Sequence, residues 1–99
     1  MNKLIQIHPQ DNVLIVRQSI EPGDKEMIHG AEIVFDKPIA LGHKIAAMHL
    51  KRGDVIIKYG VPIGSATMEL SAGTHIHLHN MKSDYIPTYT LDEEFIYAK

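Results

Sequence analysis

Three histidines alternate in the segment GTHIHLHN, residues 73–80: His75, His77 and His79. In a β-strand, residues two apart project from the same face, so these imidazoles would share one face while Ile76 and Leu78 point toward the core. Imidazole is the commonest protein ligand for transition-metal ions. The segment therefore predicts either a metal site or a solvated row of histidines, and the residue types alone leave both open.

The rise of a strand limits how many of these histidines can reach one ion. Residues i and i+2 lie about 7 Å apart along a strand, and residues i and i+4 lie about 13 Å apart. Two side chains can close the shorter distance, whereas an unbent strand cannot bring all three to one ion. We therefore expect at most two metal ligands from this strand, with the third imidazole behind the ligands, on substrate, or paired with another chain.

A second candidate cluster is LGHKIA, in which His43 and Lys44 follow Gly42. Neighbouring residues on a strand face opposite sides, so only one of this pair can face a given pocket. Lys44 would anchor a carboxylate, and His43 would transfer a proton or bind a metal. The alternative is a surface lysine beside a partly buried histidine.

The third cluster lies in IIKYGVPIGSA, where Lys58 protrudes from an apolar run into a bend. Gly60 and Gly64 would let a ligand or another backbone approach closely, which predicts an anion site formed by Lys58, Tyr59 and Gly60. The alternative is an exposed lysine at a strand end with Tyr59 packed in the core. The chain contains no phosphate-binding glycine loop and no serine-nucleophile motif.

Short runs rich in isoleucine and valine lie between frequent prolines and glycines, and this pattern predicts strands rather than helices of about 11–12 residues. The predicted strands are KLIQIH (3–8), NVLIVRQSI (12–20), AEIVF (31–35), DVIIKYG (54–60) and THIHLHN (74–80). HKIAAMHL (43–50) favours a strand over a helical turn, and VPIGSATMEL (61–70) predicts a bend followed by a short extended piece. A loop is expected from Pro22-Gly23, and no internal repeat is evident. The fold class is mostly β, in one compact domain with glycine and proline bends.

The composition narrows the function classes. The 99 residues fit one domain, and 44% are hydrophobic, which is enough for a core of aliphatic side chains. A net charge of −2 offers no basic patch for nucleic acid, and no apolar run reaches the roughly 20 residues of a membrane span. Without cysteine there are no disulfides or thiolate metal ligands. The N-terminus also lacks a signal-peptide run, so the sequence predicts a soluble, cytoplasmic domain.

Three of these segments together resemble a known family. IHPQDNV, LGHKIAAMHLKRGDVIIKYGVPIGSA and GTHIHLHN occur in the same order in the N-terminal SAF-type domain of altronate dehydratases. The pattern is also similar to the separate small subunit of sulfolactate sulfo-lyase. The resemblance covers about Ile7 to Asn80 and is specific, because three motifs agree in order and spacing. Residues 19–38 look freely variable, and the chain from Lys82 onward matches nothing in the pattern.

The resemblance implies a β-clip fold for residues 1–81 and a separate tail over residues 82–99. The tail is expected to pack on a partner chain, because large exposed aromatic side chains mark interfaces. These aromatic residues are Tyr85, Tyr89, Phe95 and Tyr97.

The resemblance also implies a reaction. Family dehydratases remove water from a 2,3-dihydroxy carboxylate and give a 2-keto-3-deoxy acid, with iron(II) or manganese(II) stabilising the developing enediolate. Carried over by motif, the metal ligands fall on His75, His77 and His79. The catalytic GHK residues fall on His43 and Lys44, and the substrate-binding KYG residues fall on Lys58, Tyr59 and Gly60.

Length is the main departure from the family pattern, since fused altronate dehydratases continue for several hundred residues. We expect either a separate small subunit or a fragment, and the unmatched tail favours the subunit. The expected function is dehydration of an altronate-like sugar acid together with a large catalytic subunit or domain. The alternatives are a sulfolactate sulfo-lyase subunit and a non-catalytic module that binds sugar acids. Assembly into a homo-oligomer is left open.

Overall fold

Residues 3–83 are described by the computed structural model, and this part of the chain consists of nine short strands without a helix. The strands are β1 Leu4–Ile5, β2 Val13–Val16, β3 Lys25–Ile28, β4 Ala31–Val34, β5 Lys44–Ala46, β6 Val55–Lys58, β7 Val61–Ala66, β8 His75–Ile76 and β9 Met81–Lys82. They form three antiparallel sheets with the orders β1-β2-β5-β8, β3-β4 and β6-β7-β9. The predicted mostly-β class is confirmed. Within the described residues, no helical segment exists that could cross a membrane.

Strand β5 lies at the centre of the fold. It pairs with β2 along one edge and with β8 along the other. Because successive side chains alternate, Ile45 packs into one core cluster and Ala46 into a second. The first cluster contains Leu4, Leu14, Val16, Ile20, Ile28, Phe35, Ile39, Ile45 and Ala47. The second contains Val13, Ala46, Leu50, Ile56, Ala66, Leu70 and Ile76.

The chain contains two similar structural units, a first unit of residues 20–43 and a second unit of residues 50–74. Each unit is closed by one antiparallel bridge, Ile20 with Ile39 in the first and Leu50 with Leu70 in the second. Each contains one two-stranded hairpin, β3-β4 or β6-β7. The expectation of no internal repeat was therefore wrong, although the residues that the units share are few.

The two units share residues at the turns whose backbone has positive φ angles. The hairpin tips, His29-Gly30 and Tyr59-Gly60, have positive φ angles of 48° and 83° in the first unit and 57° and 73° in the second. Two successive positive φ values are the mark of the tight turn that matches the twist of a hairpin. Gly30 and Gly60 are 30 residues apart, and this spacing of two turn glycines could have indicated the repeat from the sequence.

The predicted strand THIHLHN ends early, at Ile76. Asn80 folds the next residues into a turn, because its Oδ1 accepts the His77 N–H at 2.9 Å and its Nδ2 donates to the His75 carbonyl at 2.9 Å. Leu78 is consequently 89% exposed instead of pointing into the core. Strict alternation suggested a strand, but the side chain of Asn80 provides a competing local bond.

Other strand boundaries also differ from the prediction. Strand β3 lies in the predicted loop after Pro22-Gly23, where a mostly polar sequence with only Ile28 buried gave no strand pattern. Strand β7 begins directly at Val61, and a register shift between Ile56 and Ile57 of β6 accommodates the proline-containing strand. Strands β1, β2, β4 and β5 are all shorter than predicted. The aromatic residues of the predicted tail lie outside the described residues.

An ion pair between Lys3 and Asp24 connects the residue before β1 to the first unit. Lys3 Nζ donates to Asp24 Oδ2 at 2.7 Å and to the Ser19 carbonyl at 3.1 Å. The Lys3 bond, together with the Glu21 N–H, lowers the pKa of Asp24 below its usual value. Asp54 occupies the equivalent turn of the second unit, where its carboxylate accepts the Lys51 N–H at 2.7 Å.

We expect Asp24→Asn to lower the free energy of unfolding near neutral pH. A carboxyl group with a depressed folded-state pKa stabilises the fold above its unfolded pKa of about 4, and this contribution is lost as pH falls through the folded value. The difference between wild type and variant should therefore shrink on acidification, as measured by urea unfolding at about pH 7 and about pH 3. Asp54→Asn is the control for the turn bond alone. A difference between wild type and Asp24→Asn that does not change with pH would contradict the role of the Lys3–Asp24 pair.

Candidate functional site

Four imidazoles form a continuous row on the surface: His43, His75, His77 and His79. The ring centroids are 4.9 Å apart for the first pair, 5.1 Å for the second and 5.2 Å for the third. His43 Nδ1 and His75 Nε2 lie 2.9 Å apart. The row therefore joins the three histidines of the alternating segment to the histidine of the GHK motif, a contact that their separation in sequence does not reveal.

The pairing of β5 with β8 brings His43 and His75 together. Ile45 is the register partner of His75, so these two side chains share one face of the sheet. His43 lies two residues before Ile45 and projects from the same face. The His43 backbone is fixed from both sides, since its N–H donates to Ala40 at 3.2 Å and its carbonyl accepts the Val16 N–H at 2.9 Å.

His77 lies in the turn after β8, and its ring is bonded to its own backbone. The His79 N–H donates to His77 Nδ1 at 3.2 Å. A nitrogen that accepts a hydrogen bond carries no proton, so the neutral His77 ring carries its proton on Nε2. Nε2 of His77 is thus a hydrogen-bond donor.

The same turn occurs near the N-terminus, over residues 8–11. The Gln10 N–H donates to His8 Nδ1 at 3.1 Å, and the His8 N–H donates to Asp11 Oδ2 at 3.2 Å. The equivalent acceptor in the later turn is Asn80. The bonding of the His77 ring is therefore a property of this turn type and does not depend on the histidine row.

The surroundings of His75 favour its neutral form. Partial burial lowers its pKa, and the neighbouring charges of His43, His77 and Lys44 lower it further. A neutral imidazole has one unprotonated nitrogen, which can accept a proton or bind a metal ion.

Lys44 of the GHK motif projects from the opposite face of the sheet to the histidine row. Lys44 is the register partner of Ile76, so it projects away from His75 and His43. Burial lowers the pKa of the Lys44 ammonium, and the positive charge of Lys58 lowers it further. Lys58 Nζ also lies 5.0 Å from the centroid of the Tyr59 ring. The lysines of the GHK and KYG motifs therefore repel each other, and a nearby anion would relieve this repulsion.

Asp11 holds the Tyr59-Gly60 turn in place. Its buried carboxylate accepts the Tyr59 N–H at 3.0 Å and the Gly60 N–H at 2.7 Å, besides the His8 N–H. The His8 ring covers Gly60 so closely that an added Cβ would lie 2.8 Å from His8 Nε2. Tyr59 is 56% exposed, so its alternative role as a core residue was wrong. Asp11 was not predicted, although it stands three residues after a histidine just as Asn80 does.

A cavity of about 420 Å³ lies between residues 33–39 and residues 72–80. Of the eight sequence-predicted site residues, only His75 and His77 line it. Asp36 and Lys37 add charged groups from a segment that looked freely variable. No group of three or more His, Cys, Asp or Glu side chains among residues 3–83 is arranged to hold a metal ion. The metal-ligand role of His75, His77 and His79 thus stays a prediction.

The chain is similar in sequence to one known protein family and to several known enzymes. Residues 2–84 match the altronate/galactarate dehydratase SAF domain. The chain is 44% identical over 84 residues to altronate dehydratase of Bacillus subtilis and 34% identical over 80 residues to altronate dehydratase of Escherichia coli. It is 30% identical over 87 residues to (2R)-sulfolactate sulfo-lyase subunit alpha of Chromohalobacter salexigens.

The extent of these matches differs between the relatives. The two altronate dehydratase alignments cover 85% and 81% of this chain but only 17% and 16% of the relatives. The chain therefore spans about a sixth of their length. The alignment with the sulfo-lyase subunit covers 78% of this chain and 90% of that protein.

We expect Asp11→Ala to destabilise the protein by about 2–3 kcal/mol, because three backbone N–H groups lose a charged acceptor. Asp11→Asn keeps one acceptor oxygen and should cost less. Urea unfolding measures the loss of stability, and amide hydrogen exchange should accelerate most at Tyr59 and Gly60. Unchanged exchange at these two amides in Asp11→Ala would contradict the assigned contacts.

Proposed function

Because the chain belongs to the SAF-domain family of altronate and galactarate dehydratases, we propose that it is the small part of a hydro-lyase that dehydrates an altronate-like sugar acid. The observation that carries this proposal is the 44% identity over 84 residues to an altronate dehydratase. Since the matching region is about a sixth of such enzymes, the rest of the catalytic machinery must come from a larger chain or domain.

The reaction requires two charge movements that the chain's residues suit. A base removes the proton from the carbon next to the carboxylate. The hydroxyl group on the neighbouring carbon accepts a proton and leaves as water. The resulting enol then tautomerises to the keto acid. A neutral imidazole in the histidine row can take or donate a proton at one ring nitrogen. His77 Nε2–H supports this role, because it is a donor in a ring that also lines the cavity.

Binding of the substrate carboxylate is proposed for the two lysines. Lys44 and Lys58 lie within electrostatic range of each other, and Lys44 is half-buried. Their mutual repulsion is relieved when an anion lies between them, which favours a carboxylate over a neutral sugar.

A divalent iron or manganese ion, when bound, would stabilise the negative charge of the enediolate. We assign the nitrogen ligands that this chain would contribute to the histidine row. Because no described group has three ligands in place, the remaining ligands would come from the substrate or from the larger chain. A metal ion bound at the row would therefore be shared with other groups.

A second candidate is a sulfo-lyase subunit that acts on sulfolactate and releases sulfite instead of water. The observation that favours it is the match to 90% of the length of (2R)-sulfolactate sulfo-lyase subunit alpha. Both substrates are hydroxy carboxylates, so the same lysines and histidines would serve either reaction.

The first functional test is reconstitution with a large dehydratase-like chain. We expect keto-acid release from altronate with both chains present and none with either chain alone, as measured by coupled reduction of the keto acid. Parallel assay of sulfite release from sulfolactate separates the two candidates. His77→Ala should lower kcat by at least about tenfold if the ring transfers a proton. Full activity of a His77→Ala, His79→Ala double variant would contradict a role for this end of the row.

The second functional test concerns the carboxylate. Lys44→Met in the reconstituted enzyme should raise KM by about tenfold or more, because a charge-assisted bond to the substrate is lost. Lys44→Arg should restore part of the affinity, and Lys51→Met, a change at an exposed lysine, is the matched control. A KM that is unchanged in Lys44→Met would remove the lysine from the binding site.

A further inference from the structure

The outer edge of β4 is not paired with another strand among residues 3–83, whereas the equivalent edge of β7 is paired with β9. Equivalent hydrogen bonds in the two units establish this correspondence. The Phe35 N–H donates to the Asp24 carbonyl at 2.9 Å, and the Ala66 N–H donates to the Asp54 carbonyl at 2.9 Å. Phe35 of the first unit therefore corresponds to Ala66 of the second.

In the second unit, the residues on either side of Ala66 bond to the chain around β9. Ser65 is the register partner of Lys82, and the Thr67 N–H donates to the Asn80 carbonyl at 3.0 Å. A third strand thus covers the outer edge of the second hairpin.

The corresponding residues of the first unit are Val34 and Asp36, and both are exposed. Phe35, which lies between them, bonds toward β3 at the turn that contains Asp24. Because successive residues of an antiparallel strand bond to opposite sides, the N–H and carbonyl of Val34 point away from β3. The Asp36 N–H has the position that the Thr67 N–H has in the second unit. An edge of this kind is a template for pairing with a further strand.

The cavity described above lies along this edge. Residues 33–39 form one of its walls, and residues 72–80, with His75 and His77, form the other. A strand added to β4 would therefore have the position in the first unit that β9 has in the second. It would lie between β4 and the histidine row.

The charges along the edge indicate which kind of segment fits. Glu32, Val34 and Asp36 project from one face of β4, so two exposed carboxylates flank one apolar side chain, and Lys25 lies one strand further away. In a two-fold pair of β4 strands centred on Val34, Glu32 would lie opposite Asp36 of the second copy, and like charges directly opposite each other are destabilising. Residues 84–99 contain four acidic residues and one lysine, so their charge is also unfavourable here. A segment with basic side chains around an apolar one is complementary.

We propose that the outer edge of β4 binds an extended segment of the larger catalytic chain as an added antiparallel strand, with basic side chains opposite Glu32 and Asp36. In this mode of recognition the backbone hydrogen bonds provide affinity and the side chains provide specificity. The choice of partner rests on the function proposed above. The added strand would bring groups of the larger chain next to His75 and His77.

Amide hydrogen exchange on the full chain is the first test. In the chain alone, we expect fast exchange at the Val34 and Asp36 amides and slow exchange at the Thr67 amide, which is bonded to Asn80. Addition of the large dehydratase-like chain should slow exchange at Val34 and Asp36 by at least about tenfold. An active complex in which these two amides stay unprotected would overturn the docking site and leave the proposed function intact. Failure of the two chains to associate would contradict both.

The same measurement separates the other occupants of the edge. Slow exchange at Val34 and Asp36 in the chain alone would overturn the choice of the larger chain. Protection that increases with protein concentration would assign the edge to a second copy, and protection that is independent of concentration would assign it to residues 84–99.

Substitutions along the edge are the second test, with the Kd of the complex as the readout. Glu32→Lys combined with Asp36→Lys should raise Kd by at least about tenfold, because two favourable cross-strand pairs become like-charge pairs. Glu69→Lys, a charge reversal at an exposed residue of the second unit, is the matched control and should change Kd less than twofold. Val34→Pro removes an N–H that points away from β3 and should also raise Kd by at least about tenfold. An unchanged Kd in the double variant, or in a Val34→Pro variant with retained amide dispersion, would overturn the docking site.

Discussion

Hydrogen bonding along both edges of β5 is the constraint on which the described domain depends. Only three residues long, β5 joins β2 to β8, and its side chains contribute to both core clusters. A strand buried on both faces can carry polar groups only near its ends. His43 and Lys44 stand at such an end, so the polar groups of the candidate site lie where the core stops.

The two structural units contribute different residues to this edge. The turn that precedes β5 in the first unit presents His43, and the equivalent turn before β8 in the second unit presents Thr74. Conversely, Lys44 corresponds to His75. Because β5 and β8 are antiparallel neighbours, this difference between the units brings His43, just before β5, and His75, in β8, to one face and Lys44 to the other.

The sequence was sufficient for the fold class and for the strands with uninterrupted β-branched runs, such as β2 and β6. It failed where one polar side chain decided the backbone path, as Asn80 does after Ile76. The sequence did not predict the repeat, because the identical residues of the two units lie in turns rather than in the core. The His43–His75 contact depends on strand pairing across 32 residues, which local spacing cannot reveal.

The two histidine turns differ in the side-chain group of their fourth residue, which is a carboxylate in Asp11 and an amide in Asn80. Asp11 only accepts hydrogen bonds, whereas Asn80 accepts one from His77 and donates one to the His75 carbonyl. Hydrolysis of the Asn80 amide, a slow reaction of asparagine in proteins, replaces this donor with a carboxylate oxygen that faces a carbonyl oxygen. A change that would create the residue suited to the first turn therefore separates the second turn from β8. The link between the second turn and β8 therefore depends on the amide group of Asn80.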